Sequence, residues 1–282
     1  MATERACHLA NDSIHAFTST EQQQQTQSEA QQQTQSEARL LWSSAVRANI
    51  SQLKLASPAG LANGSTGFMI WNAALVTRAF LLKERLNKPR ASPLKVLDVS
   101  SGNGYLALTA ACMGADCIAT EFHLAYKLLQ KNCEDNIEVL RSSGGGRMRT
   151  VEYKWGDPID SFTSKFDEDL QTFDMVIFSD LLYIAFRDDI EDIFLNSILA
   201  LVPADSKAEL VFCFERRKYE REEAFLARLL PFFQFEERDV IQEELIGACR
   251  EDPIAGVVED FELNIFYRDP PVRLLLLRRR IE

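Results

Sequence analysis

The sequence predicts an α/β fold: a mostly parallel sheet with helices on both faces, closing in a C-terminal antiparallel hairpin. Three observations carry that prediction. From residue 40 onward, short apolar runs alternate with stretches of helical period, the pattern of βα units. One run, inside "FDMVIFSDLLY" (173–183), is continuously apolar, as a strand buried on both faces must be. The last two apolar runs, "LNIFYRD" (263–269) and "VRLLLLRRR" (272–280), are separated only by a "DPP" corner. That corner is too short for a crossover, so the two must run antiparallel.

In order, "WNAALVTRAFLLKERL" (71–86) reads as a helix with Leu75, Ala79, Leu82 and Leu86 on one face. "LKVLDVSS" (94–101) is a buried strand, 105–113 a helix and "ADCIATEF" (115–122) a second strand. Residues 123–140 give a helix with Leu124, Leu128, Leu129 and Ile137 inward. After the "GGG" loop comes a strand at 148–155, then the central strand within 173–183, a helix near 188–201, strand 208–217 and helix 220–231. "FQFEERDV" (233–240) precedes the final pair. Residues 1–39 stand apart. They contain "QQQTQSEA" twice in succession, a Gln-rich tract too poor in apolar residues to form a core. The organisation is therefore a disordered tail, 1–39, and one folded domain, 40–282.

Composition excludes several functions. The net charge of −11 is a poor footprint for nucleic acid and suits a basic protein partner. No apolar run approaches the ~20 residues of a membrane span. The N-terminus lacks the apolar core of a secretion signal, which predicts a cytoplasmic or nucleocytoplasmic protein. The six cysteines form no CxxC pair, and two of the three histidines, His8 and His15, fall in the tail. Only His123 is left for a metal site or a Ser-His-Asp triad, so neither is expected.

The chemistry concentrates in "LDVSSGNGYLAL" (97–108). Gly102-x-Gly104-x-x-Ala107 has the glycine spacing of a dinucleotide-binding turn, and Glu121 at the next strand end is placed for a ribose diol. An S-adenosylmethionine site has the same features. Three others separate the two. Asp98 would repel a pyrophosphate but suits the cationic amino-acid end of S-adenosylmethionine. A terminal antiparallel hairpin is foreign to a fold of two matched halves. Two further strand ends, "KWGD" (154–157) and "SDLLY" (179–183), carry Trp155, Asp180 and Tyr183 where a cofactor would lie. The plainer readings are that Trp71 and Trp155 are core, Asp98 a helix cap and Glu121 a solvated charge.

Taken together, "TGFMIWNAAL" (66–75), "VLDVSSGNGYLAL" (96–108), "TEF" (120–122), "KWGD" and "SDLLY" resemble the family-16 group of seven-strand protein methyltransferases. The resemblance implies a Rossmann-like class I methyltransferase sheet, S-adenosyl-L-methionine as cofactor and a protein lysine as acceptor, with no metal, nucleic acid or membrane partner. It implies that Trp71, Asp98, Ser100, Ser101, Gly102, Gly104, Glu121, Trp155 and Ser179 bind the cofactor. Asp180 and Tyr183 would face the acceptor. Two positions depart from the family pattern: Ser100 replaces a usual glycine, and Lys154 stands where an acid is common. A methyltransferase for arginine, histidine or a small amine, or a non-catalytic binding module, would share most of these features.

Overall fold

Short apolar runs linked by helical segments can pair only side by side in one direction, and five strands here do so. The computed structural model describes residues 50–55, 69–86, 91–142, 146–166, 172–238 and 272–280. The strands are β1 (Lys95–Val99), β2 (Asp116–Glu121), β3 (Arg147–Glu152), β4 (Met175–Ser179), β5 (Glu209–Glu215), β6 (Phe233–Arg238) and β7 (Val272–Arg279). They form one sheet in the order β3-β2-β1-β4-β5-β7-β6. β1 to β5 are parallel, and β7 is antiparallel to both β5 and β6. The central strands β1, β4 and β5 are buried along nearly their whole length, as their apolar sequences require.

Helices α1 (Asn72–Phe80), α2 (Tyr105–Cys112), α3 (His123–Asp135), α4 (Ile137–Ser142), α5 (Ile159–Thr163), α6 (Leu181–Arg187), α7 (Glu191–Leu201) and α8 (Tyr219–Leu229) connect and cover the sheet. Phenylalanines lock α7 and α8 onto it. Phe194 stacks on Phe225 at 5.6 Å and meets Phe178 and Phe212. None of the helices among the described residues is long and apolar enough to cross a membrane.

The details correct the sequence reading in two places. The first helix passes into a π-helical turn over Leu81–Arg85. Its buried residues are Ala73, Leu75, Val76, Thr77, Arg78 and Phe80, whereas Ala79 and Leu82 are only partly covered. A helix packed against both α2 and the β5–β7 pair buries more than one stripe. The segment 123–140 breaks at Asn136, whose side chain donates to the carbonyls of Asn132 and Lys54 and accepts from the Lys54 N–H. Leu124, in the first turn of α3, and Ile137, just past the break, are exposed rather than inward. The central strand ends at Ser179, at the start of "SDLLY" as the sequence reading has it, and the following residues form α6. The reversed strand 272–279 pairs with β5 and β6. The proposed 263–269 partner lies outside the described residues, as does the 1–39 tail.

Candidate cofactor and acceptor site

The chain leaves β1 toward β2 and β3 and returns on the other side as β4. The strand order therefore reverses between β1 and β4, the place where open α/β sheets bind ligands. A cavity of about 480 Å³ lies there, beyond the carboxyl ends of both strands. Every site residue singled out from the sequence lines it except Gly104. Gly104 instead caps α2 in a left-handed conformation (φ 87°), where a Cβ would stand 2.8 Å from Leu129 Cδ1. Its requirement is close packing and backbone freedom at the helix entry.

The loop after β1 is held from the side by β2. Thr120 opens the "TEF" motif but is not among the candidate site residues that the sequence singles out. Its carbonyl accepts from the Ser101 N–H at 2.7 Å, and its hydroxyl accepts from the Ser100 N–H at 3.0 Å. Ser101 Oγ donates back to the Asp98 carbonyl at 2.8 Å. Glu121 accepts from the Gly102 and Phe122 backbone N–H groups at 2.8 and 2.9 Å. Burial nonetheless raises its carboxyl above the ordinary value, because desolvation outweighs those two hydrogen bonds.

Asp98 is almost fully buried, and its Oδ2 has no hydrogen-bond partner. Burial pushes its carboxyl up to about 7, and the nearby Glu121 charge adds to the shift. Ser179 Oγ, at the end of β4, is a second buried polar atom without a partner. Buried polar groups are normally satisfied, so two orphans on one cavity wall mark a place where a ligand completes the bonding.

Ser100 takes the backbone conformation that favours glycine, with φ 53°. A left-handed non-glycine residue costs of order 1 kcal/mol or more. Its Oγ accepts from the indole Nε1–H of Trp155 at 3.0 Å. The Trp155 ring packs on Phe194 at 4.4 Å, so its other contacts tie it to the core. Lys154 does not supply an acid here. Its ammonium sits 5.5 Å over the Phe122 ring at the cavity wall.

Across the cavity, Asp180 follows β4 in a left-handed conformation (φ 60°) and starts α6. It is 5% exposed, and both its oxygens are engaged. Arg217 donates to Oδ1 at 2.8 Å and to Oδ2 at 2.9 Å, and the Glu215 N–H donates to Oδ1 at 3.1 Å. Arg217 also donates to Glu215 Oε2 at 2.9 Å. Its guanidinium lies 5.4 Å from the Trp71 ring and 5.1 Å from the Tyr183 ring, and those two rings are 6.2 Å apart. Arg217 thus joins every residue of the acceptor side. Its signal in the sequence was faint: a basic residue two positions beyond the end of β5.

The residues fit S-adenosylmethionine. A buried carboxylate with one oxygen unpartnered suits its amino group, a carboxylate at the end of β2 suits its ribose diol, and Trp155 offers an aromatic face. Among the described residues no His, Cys, Asp or Glu group is arranged to hold a metal ion. A parallel sheet with its sixth-positioned strand reversed, and a cavity of this make-up at the switch point, define an S-adenosylmethionine-dependent methyltransferase of class I. The sequence profile of the lysine methyltransferase family matches residues 49–231, well over half of the chain. The chain belongs to that family, and its reaction is methyl transfer from S-adenosyl-L-methionine to lysine.

Among curated relatives, the chain is similar to protein N-lysine methyltransferase METTL21A of Xenopus tropicalis. The two are 25% identical over 165 residues, which is 58% of this chain and 67% of that protein. The Danio rerio protein of the same name is 25% identical over 169 residues, covering 60% and 69%. A human methyltransferase 10 domain-containing protein of known structure is 12% identical. The match covers 88% of this chain and 96% of that one, with a TM-score of 0.46.

Proposed function

We propose that the chain methylates a lysine on a protein partner, delivered past the Trp71–Tyr183 pair to the cofactor held between β1 and β4. The observation that carries this reading is the buried, unpartnered Oδ2 of Asp98 in a cavity rimmed on the opposite side by aromatic rings. Bound S-adenosylmethionine supplies an electrophilic methyl group on a sulfonium. The protein's work is then mainly to position two reactants and exclude water. Asp98 would take the amino group, Glu121 the ribose hydroxyls, and Trp71, Ser100, Ser101, Gly102, Trp155 and Ser179 the remaining contacts.

The acceptor amine must arrive near the rings and lose its proton before it can attack. Apolar walls favour the neutral amine. Asp180 contributes through Arg217: two carboxylates, Asp180 and Glu215, share one guanidinium, which leaves a formal negative charge behind the rings to draw in a cation. The pair also fixes the Trp71 and Tyr183 rings from behind. Asp180 and Tyr183 therefore act on the acceptor as part of a held wall, with neither serving as a strong base.

The protein's net charge of −11 supports a basic protein surface as partner. Cytoplasmic or nucleocytoplasmic residence is supported by free thiols at Cys112, Cys117, Cys133 and Cys213, and imaging of the tagged full chain tests it. The functional test is transfer of labelled methyl groups to lysate proteins, with the modified side chain identified by mass spectrometry. Label on lysine upholds the reading. Label confined to arginine or histidine, or no transfer despite cofactor binding, refutes it.

A further inference from the structure

Strained backbone at a ligand site calls for a reason, and the reason at Ser100 is on its side chain. The family glycine would take φ 53° freely. This chain instead has a serine whose Oγ accepts from the Trp155 indole N–H at 3.0 Å. A hydroxyl that accepts one bond still has a proton to donate. Among the described residues no acceptor takes that proton. Both side chains line the cavity, and the Trp155 ring is backed by Phe194. The link joins the loop after β1 to the loop after β3.

We propose that Ser100 is a positioning residue that latches Trp155 and passes the polarisation on: the indole N–H donates to Ser100 Oγ, and the Ser100 hydroxyl donates to an oxygen of the bound cofactor. This rests on the cofactor assignment above. Hydrogen bonds in such a chain strengthen one another, and an accepted indole proton makes the hydroxyl a better donor. The strain at Ser100 is the cost of a contact that glycine cannot make.

The test uses the full chain and S-adenosylhomocysteine, followed by calorimetry and thermal melts. Ser100→Gly relieves the strain and removes the latch. Its Tm stays at or above the wild-type value, while the Kd rises about tenfold. Ser100→Ala keeps the strain and loses the hydroxyl, so its affinity falls equally and its Tm falls as well. Trp155→Phe costs affinity by itself but adds little to Ser100→Gly, because one bond cannot be removed twice. Ser100→Gly binding as tightly as wild type overturns the latch. Exchange of the Trp155 indole proton, assigned by its disappearance in Trp155→Phe, gives a ligand-free reading: it should be slower in wild type than in Ser100→Gly, and equal rates overturn the proposal. Failure of the wild-type protein to bind S-adenosylhomocysteine would instead strike the cofactor assignment, and the indole exchange would still judge the latch.

Discussion

Two strand ends face each other across the cavity, and they are built alike. β1 runs through Asp98 into Ser100, at φ 53°, and β4 ends at Ser179 before Asp180, at φ 60°. Each end offers one buried acid, with serine beside it. Their bonding is opposite. Asp98 Oδ2 has no partner and its carboxyl is pushed up to about 7, chiefly by burial. Asp180 has both oxygens on Arg217 and a further N–H from Glu215. Desolvating a carboxylate with one oxygen left unpartnered is costly, and a cationic ligand is what relieves that cost. The contrast teaches that the same residue type, near the carboxyl ends of neighbouring strands, is kept open for a ligand on one side and spent on architecture on the other.

Breaking the architectural acid should give the largest effect. Arg217→Ala leaves Asp180 buried and unpaired and takes the cation from between two rings. It should destabilise the protein by about 3 kcal/mol in denaturant unfolding. Asp180→Asn keeps the shape and half of the bonding. It should lower single-turnover methyl transfer by at least about tenfold, or 1.4 kcal/mol of barrier, while cofactor affinity changes far less. Wild-type transfer and stability in both variants would mean that the Asp180–Arg217 pair is incidental.

Asp98→Asn should move stability the other way. The folded carboxyl titrates near 7 and the ordinary value is 3.8, so between those values the folded protein holds a proton that the unfolded chain has released. Stability from this group therefore falls as pH rises from about 4 to 7, and stays low above that. Asparagine removes the dependence and should raise the Tm of the ligand-free protein at pH 8. Affinity should suffer: loss of a charge-assisted bond to the cofactor amine weakens S-adenosylhomocysteine binding by about 1.5–3 kcal/mol. In the wild type, affinity should rise from pH 5 to 7 as Asp98 ionises and then level off, and in Asp98→Asn it should be flat. Calorimetry across pH decides this, and a wild-type profile as flat as the variant's would remove Asp98 from the ligand site.

The cofactor side was far more legible in the sequence than the acceptor side, for a physical reason. Asp98, the small-residue loop and Glu121 lie within one βα unit, and their spacing follows from the length of a strand and a turn. Local steric demands wrote them as small residues and acids at fixed offsets. Arg217 meets Asp180 from 37 positions away, through the pairing of β4 with β5, and no local pattern records that meeting. Thr120 was invisible for a similar cause: a strand threonine is ordinary until its hydroxyl is seen beneath the Ser100 N–H. The sheet itself was readable from alternation of period. The break in 123–140 was not, because Asn136 makes it through contacts with Lys54, 82 residues away.

The smallest effect sharpens the comparison most finely. If the acceptor side works by held walls, then Tyr183 matters through its ring. The ring stands 6.2 Å from Trp71 and 5.1 Å from the Arg217 guanidinium, and its hydroxyl has no hydrogen-bond partner among the described residues. Tyr183→Phe keeps the wall and the cation–π face and should lower transfer by less than about threefold, below 1 kcal/mol. Tyr183→Ala opens the wall and leaves Arg217 stacked on Trp71 alone, so its loss should exceed that of Phe by about tenfold. Cofactor affinity measured alongside should be nearly unchanged in Tyr183→Phe, since Asp98 and Glu121 hold the ligand from the other strands. Were Phe to cost as much as Ala, the hydroxyl itself would be touching the acceptor amine. The acceptor side would then carry an open polar group of its own, as the Asp98 side does, and the division of labour between the two strand ends would fail.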